Sequence, residues 1–167
     1  LYIADWYNKI ISHNEVARDH PERDKTRGRI WRIRAKNSPT PAKVDFTKLS
    51  SSEVLKLLGG NSSRTARMAW QWLGERMDAT TSSELVKIAE NKKETEARRI
   101  DALWALELGK ALGPKTLELM FADQSDKIRY QAIRAAGEMQ LDSDLFVKIF
   151  HTAADDSNYR VRAALAN

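Results

Sequence analysis

From residue 50 onward the apolar residues fall at helical spacing. Val54, Leu57 and Leu58 form one i, i+3, i+4 set; Leu85, Ile88 and Ala89 a second; Leu117, Met120 and Phe121 a third; Phe146, Ile149 and Phe150 a fourth. Each set follows a helix-start signal. Ser50-x-x-Glu53 and Thr81-x-x-Glu84 read as capping boxes, Gly113-Pro114 places proline at the first helical position, and Asp142 is an N-cap residue. Behind each short helix comes a polar turn and a second helical pattern, over 63–76, 94–108, 125–139 and from 158 onward. The expected organisation is about four helix-turn-helix units. Before residue 36 the period switches to two: residues 1–4 and 28–33 are short, rich in β-formers and alternating, which predicts a β-hairpin.

A seven-residue phrase, Asp-x-Ser/Asn-x-x-Ile/Val-Arg, occurs at Asp123 to Arg129 and again at Asp156 to Arg162, 33 residues apart. Self-similarity at that period implies units that stack to bury apolar faces none can bury alone. Together with the small-residue run Ala132, Ala135, Ala136, Gly137, the phrase resembles HEAT repeats over roughly residues 48–167. The resemblance implies an all-α, α-α superhelix in which Asp123, Arg129, Asp156 and Arg162 form a structural ladder from one repeat to the next. Arg67 and Arg99 align with the ladder arginines, while Asn61 and Asn91 only loosely replace the aspartate. The last helix stops without the polar face that ends a solenoid, so the chain is expected to be part of a longer one.

Charge changes the picture only at the N-terminal end. The formal net charge is +5, but residues 1–43 hold ten Lys/Arg against five Asp/Glu and the remainder holds eighteen of each. The helical part is therefore neutral and attracts a polyanion weakly; the basic residues, Arg29, Arg32 and Arg34 among them, sit on or beside the predicted second strand. There is no apolar run of membrane-spanning length, and the absence of cysteine removes disulfides and thiolate metal sites from this stretch.

The string Leu1-Tyr2-Ile3-Ala4-Asp5-Trp6-Tyr7-Asn8, with His13, Arg18-Asp19, Arg23-Asp24, Thr26 and Gly28-Arg29-Ile30-Trp31-Arg32-Ile33, resembles the last blade of bacterial membrane-bound dehydrogenase-like proteins. Those are similar to quinone (PQQ)-dependent sugar or sorbosone dehydrogenases, built as a β-propeller, then HEAT-type repeats, then often a c-type cytochrome module. The resemblance implies a periplasmic or otherwise extracytoplasmic location and a parent protein that uses PQQ and c-type haem. No quinone-site residue, catalytic base or Cys-x-x-Cys-His falls within these positions, so no catalytic, cofactor or metal residue is assigned here. The expected division is a hairpin of a propeller blade at 1–36, a linker at 37–47 around Asn37-Ser38-Pro39-Thr40-Pro41, and repeats over 48–167.

Other residues carry weaker signals. His13 and His20, with Asp19, Glu22 and Asp24, share one loop, but Arg18, Arg23 and Lys25 compete for the same carboxylates, which favours ion pairs over a metal. His151 falls late in a helix, where a structural or exposed role is expected. Trp70 and Trp104 lie at core spacing. Trp72 projects about 200° around the helix from Trp70 and is the aromatic candidate for an interaction. Two readings follow. The preferred one is a non-catalytic scaffold that contacts a protein or neighbouring domain; the alternative is a stand-alone module that contacts nucleic acid or protein through its basic N-terminal arm.

Overall fold

The computed structural model describes residues 1–5, 17, 19–23, 26, 28–37, 43–139 and 143–166. The expectations for Trp6 to Asn8, His13, Arg18, Asp24, Lys25, residues 38–41 and Asp142 lie outside these. The chain divides into two units, Leu1–Lys43 and Val44–Asn167. The protein is mostly helical, with one short antiparallel hairpin at the N-terminal end.

In the first unit, β1 (Tyr2–Asp5) pairs antiparallel with β2 (Arg29–Arg32) in the register Tyr2↔Arg32, Ile3↔Trp31, Ala4↔Ile30, Asp5↔Arg29. Trp31 Nε1 donates across the pair to Asp5 Oδ2 at 2.9 Å. Tyr2, Ile30 and Trp31 stay 62, 77 and 52% exposed, so this pair of strands has no apolar face of its own against which to close a core.

The second unit opens with a 3-10 turn (Phe46–Lys48) and continues through α1 (Ser51–Leu55), α2 (Ser63–Glu75), α3 (Ala79–Glu90), α4 (Glu96–Leu108), α5 (Pro114–Phe121), α6 (Asp126–Gly137), α7 (Ser143–Ala154) and α8 (Tyr159–Ala163). Consecutive helices pair as hairpins, α1 with α2, α3 with α4, α5 with α6 and α7 with α8. The first helices contact in the order α1, α3, α5, α7 and the second helices in the order α2, α4, α6, α8. Each hairpin therefore packs chiefly on the one before and the one after, with a continuous core between two helix layers. At matching places Ala69, Ala102 and Ala132 are completely buried; small side chains there let adjacent second helices approach closely.

Helix starts follow local chemistry. Ser50 and Glu53 form the expected box, with Glu53 Oε2 accepting from the Ser50 amide at 2.9 Å and from its hydroxyl at 2.6 Å. Pro114 occupies the start of α5 as expected. The Thr81-x-x-Glu84 box does not form. Asp78 caps α3 instead, accepting from the Thr81 amide at 2.7 Å, and Glu84 pairs with Lys87. A carboxylate three residues earlier takes the free amides and also gains from the positive helix end, so the hydroxyl becomes a buried first-turn residue. In the next helix Thr95 is the cap, not Glu94, which turns to Arg98.

The turn between α1 and α2 sits on the first turn of α4. Gly59 has φ +67°, and a Cβ there would lie 2.6 Å from Arg98 Cβ and 2.7 Å from Arg98 N. Its amide donates to Asp101 Oδ2 at 2.7 Å. Glycine is thus required both by the left-handed backbone and by the approach of α4. Gly59→Ala should cost about 2 to 4 kcal/mol, the sum of a left-handed alanine and an overlap with backbone; urea unfolding at constant m value checks it.

Candidate functional site

Counting from the N-cap of each second helix (Ser62, Thr95, Ser125, Asn158) puts the four hairpins in register. Two residues before the cap stand Gly60, Lys93, Asp123 and Asp156; four residues after it stand Ala66, Arg99, Arg129 and Arg162. The ladder occupies these positions and runs between hairpins. Arg99 Nη2 donates to Asp123 Oδ2 at 2.6 Å, with both side chains about 5% exposed. Arg129 grips Asp156 with two bonds, Nε to Oδ2 at 2.6 Å and Nη2 to Oδ1 at 2.9 Å. Such a fork fixes direction as well as distance.

Each aspartate also builds its own turn. Asp123 Oδ1 accepts from the Ser125 amide at 2.9 Å, and Asp156 Oδ1 from the Asn158 amide at 2.8 Å. The arginine of the same hairpin closes the loop from the other side: Arg129 Nη1 donates to the carbonyls of Asp123 and Gln124 at 2.9 and 3.0 Å, and Arg162 Nη1 to those of Asp156 and Ser157 at 2.6 and 3.1 Å. A second tie joins the caps. Ser125 Oγ donates to Glu96 Oε1 at 2.5 Å, and Asn158 Nδ2 donates to Asp126 Oδ2. Glu96 and Asp126 each directly follow the cap of the preceding hairpin, a relation visible only once the caps are known. On the first helices, Glu90 accepts from Thr116 and Glu118 from Lys148, both at 2.8 Å.

The alignment of Arg67 with the ladder is corrected by this register. Arg67 is one position too late and exposed; Ala66 holds the ladder place, and Lys93 stands where its aspartate would be. The first two hairpins are joined by the Gly59–Asp101 bond and by Arg98 Nη1 donating to the Leu58 carbonyl at 3.4 Å. Arg99, in contrast, does reach a ladder aspartate, because its partner belongs to the third hairpin and not to its own; it does so with one bond, while its Nε donates to the Ala89 carbonyl at 2.9 Å.

Protonation follows the same geometry. Burial alone would raise the Asp123 carboxyl, but the Arg99 guanidinium and the Ser125 amide hold it below the ordinary value. Arg129 does the same for Asp156, against a smaller push from burial. Asp101 moves the other way: burial raises it, and the Gly59 amide offsets this in part.

The second helices also present a row of rings. The Trp70 and Trp104 centroids are 6.5 Å apart at 39°, and Trp104 Nε1 donates to Gln131 Oε1 at 3.0 Å. The Arg134 guanidinium lies 5.5 Å from the Trp104 centroid and 5.9 Å from that of Tyr130. Beside them an open cleft of about 620 Å³ is lined by Ile100, Tyr130, Gln131, Tyr159 and Arg160. Trp70 and Trp104 are half-buried against the core and so form both its edge and this surface. Trp72 is half-buried as well, with Arg76 of its own helix 4.8 Å over the ring. Arg29, Arg32 and Arg34 are exposed on the hairpin unit, and His151 is exposed on α7. Among the described residues no three His, Cys, Asp or Glu side chains are placed to hold a metal, and no helix is long and apolar enough to cross a membrane.

Arg99→Ala removes one partner of a buried pair and should cost about 3 kcal/mol or more in denaturant unfolding. The pH dependence has a defined sign. Asp123 and Asp156 have folded pKa values below their unfolded ones, so their contribution is complete above the unfolded value, about 3.9, and drains away as pH falls through the folded values. Asp101, raised when folded, contributes in the opposite sense and loses its contribution as pH rises through its folded value. Stability of Asp156→Asn should therefore fall less steeply below about pH 4 than that of the parent chain; urea titrations across that range check it, and equal slopes would remove Asp156 from the acid response.

Residues 1–37 match the family described as a domain of unknown function, DUF7133. No curated protein matches the chain. The match covers the hairpin unit up to Asn37 and leaves the helical hairpins outside it.

Proposed function

We propose that the chain is a non-catalytic scaffold of HEAT type, preceded by two strands from the last blade of a dehydrogenase-like β-propeller, in a protein that works in the periplasm or otherwise outside the cytoplasm. The observation that carries the scaffold reading is the two-way use of each aspartate. Asp123 and Asp156 shape their own turn and receive the arginine of the hairpin before, so the bonding pattern advances along the stack by one unit at a time. The row of Trp70, Trp104 and Tyr130 with Arg134 over it supplies a surface suited to a protein partner, since aromatic and arginine side chains dominate such contacts. In this reading PQQ and c-type haem belong to other parts of the parent protein, and the helices set the spacing between its oxidising body and a partner or electron acceptor. The exposed apolar residues of the hairpin support its membership of a larger sheet.

Hydrogen exchange tests the one-dimensional stack. Arg129→Ala should speed exchange in residues 143–166 while α3 and α4 keep their protection, as nearest-neighbour stability requires. Uniform loss of protection would mean a single closed core and sink the reading. The chain alone, given PQQ, sugars or alcohols and a dye acceptor, should show no turnover; turnover would overturn the non-catalytic assignment. A steep salt dependence of duplex DNA binding, several units on a log-log plot, would favour the basic N-terminal arm as a nucleic-acid contact instead.

A further inference from the structure

We infer that the second-helix face of the second and third hairpins is a docking site for an acidic segment of a partner protein, a carboxylate of that segment being received by Arg134. This rests on the scaffold reading and deepens it by naming the chemistry of the partner. Five basic side chains stand on α4 and α6. Arg98 pairs with Glu94, Arg99 with Asp123, Lys127 with Glu96 and Arg129 with Asp156. Arg134 alone of these meets no carboxylate among the described residues. Glu138 follows it at the i, i+4 spacing of helix ion pairs, yet the guanidinium lies over rings instead, 5.5 Å from the Trp104 centroid and 5.9 Å from that of Tyr130. A ring face attracts the charge but offers no lone pair to the N–H donors, so these remain available to an oxygen ligand.

A second donor lies beside it. The Trp104 indole can only donate, so its 3.0 Å bond takes the Gln131 carbonyl oxygen and leaves the Gln131 amide nitrogen with no acceptor among the described residues. Gln131, Tyr130 and Ile100 line the open cleft of about 620 Å³, so these donors border an apolar floor. The carboxylates nearby are already engaged: Asp126 accepts from Asn158, and Glu96 from Ser125 and Lys127. The face lies inside the stack, since α4 has α2 and α6 packed beside it and α6 has α4 and α8. An occupant must bring oxygen acceptors to Arg134 and Gln131 and an apolar side chain to Ile100 and Tyr130. A glutamate or aspartate next to an aliphatic or aromatic residue does both. A nucleic acid does not. Base stacking needs open ring faces, whereas Trp104 and Tyr130 are half-buried against the core with Arg134 over them, and a run of phosphates would meet Asp126 in the cleft.

The test pans a phage-displayed library of random dodecapeptides on the whole chain. Selected peptides should carry Asp or Glu next to an aliphatic or aromatic residue. The Kd of the tightest should rise about tenfold with Arg134→Gln, about tenfold when its acid is changed to the amide, and little further when both are changed. Lys87→Gln removes the same charge from the first-helix layer and should leave Kd unchanged. Arg134 is exposed, so its variant should melt with the parent chain; should Arg134→Gln fail to fold, Arg134→Lys gives the comparison, since it keeps the charge and loses the fork. A selection without binders, peptides without an acid, or acidic peptides that bind Arg134→Gln as tightly as the parent would each overturn the docking site. None of these touches the stack, which hydrogen exchange at Arg129 probes separately. A single-stranded oligonucleotide that displaces the peptide and weakens by the same factor with Arg134→Gln would overturn it in favour of a nucleic-acid face.

Discussion

One carboxylate has to satisfy two demands at once at the second and third hairpin junctions. Asp123 and Asp156 accept a backbone amide of their own turn on one oxygen and the guanidinium of the preceding hairpin on the other or on both. Burying such a charge is expensive unless it is paired and hydrogen-bonded, and here the arginine and the turn amide do this together. Arg129 also binds the carbonyls of its own turn, whereas Arg99 donates to the Ala89 carbonyl at the end of α3. Local turn shape and the spacing between hairpins are thereby coupled, and a shift of either would break bonds in both. Alanines at Ala69, Ala102 and Ala132 then bring the second helices into contact at the distance the ladder sets.

The stack is polar along its length. Its first junction uses no ion pair, because Ala66 and Lys93 occupy the ladder positions, and the hairpins are clasped by the Gly59 turn lying on α4. Its later junctions are held by arginine and aspartate. Bulky residues follow the same asymmetry: Trp72 stands in the first hairpin at the place of the completely buried Ala105 and Ala135.

The hairpin unit presents a different surface. Its two strands are held by backbone bonds and by Trp31 on Asp5, with arginines on both strand faces and its apolar side chains exposed. The helical unit is electrically balanced, and Arg99, Lys127, Arg129 and Lys148 each pair with a carboxylate of a neighbouring hairpin. Together with the aromatic row on the second helices, this makes the helical unit better suited to a protein surface than to a polyanion.

What the amino-acid order determined by itself was everything set within a few residues: the apolar stripes, the Ser50 box, Pro114 at a helix start, the two short strands and the repeated aspartate-arginine phrase. These depend on backbone propensity and spacing of 2 or 3.6, which a linear reading contains. Asp78 took the cap from Thr81 because two adjacent start signals compete and only their relative strength decides. Arg99 aligns with the ladder arginines but has no aspartate in its own hairpin, because its partner lies in the next one, and Arg67 falls one position past the ladder place, an offset that only the helix caps reveal. The meeting of Trp70, Trp104, Tyr130 and Arg134 required three helices to be placed side by side. Contacts across hairpins depend on the offset between helices, a quantity fixed by packing and by the ladder bonds, and no single segment encodes it.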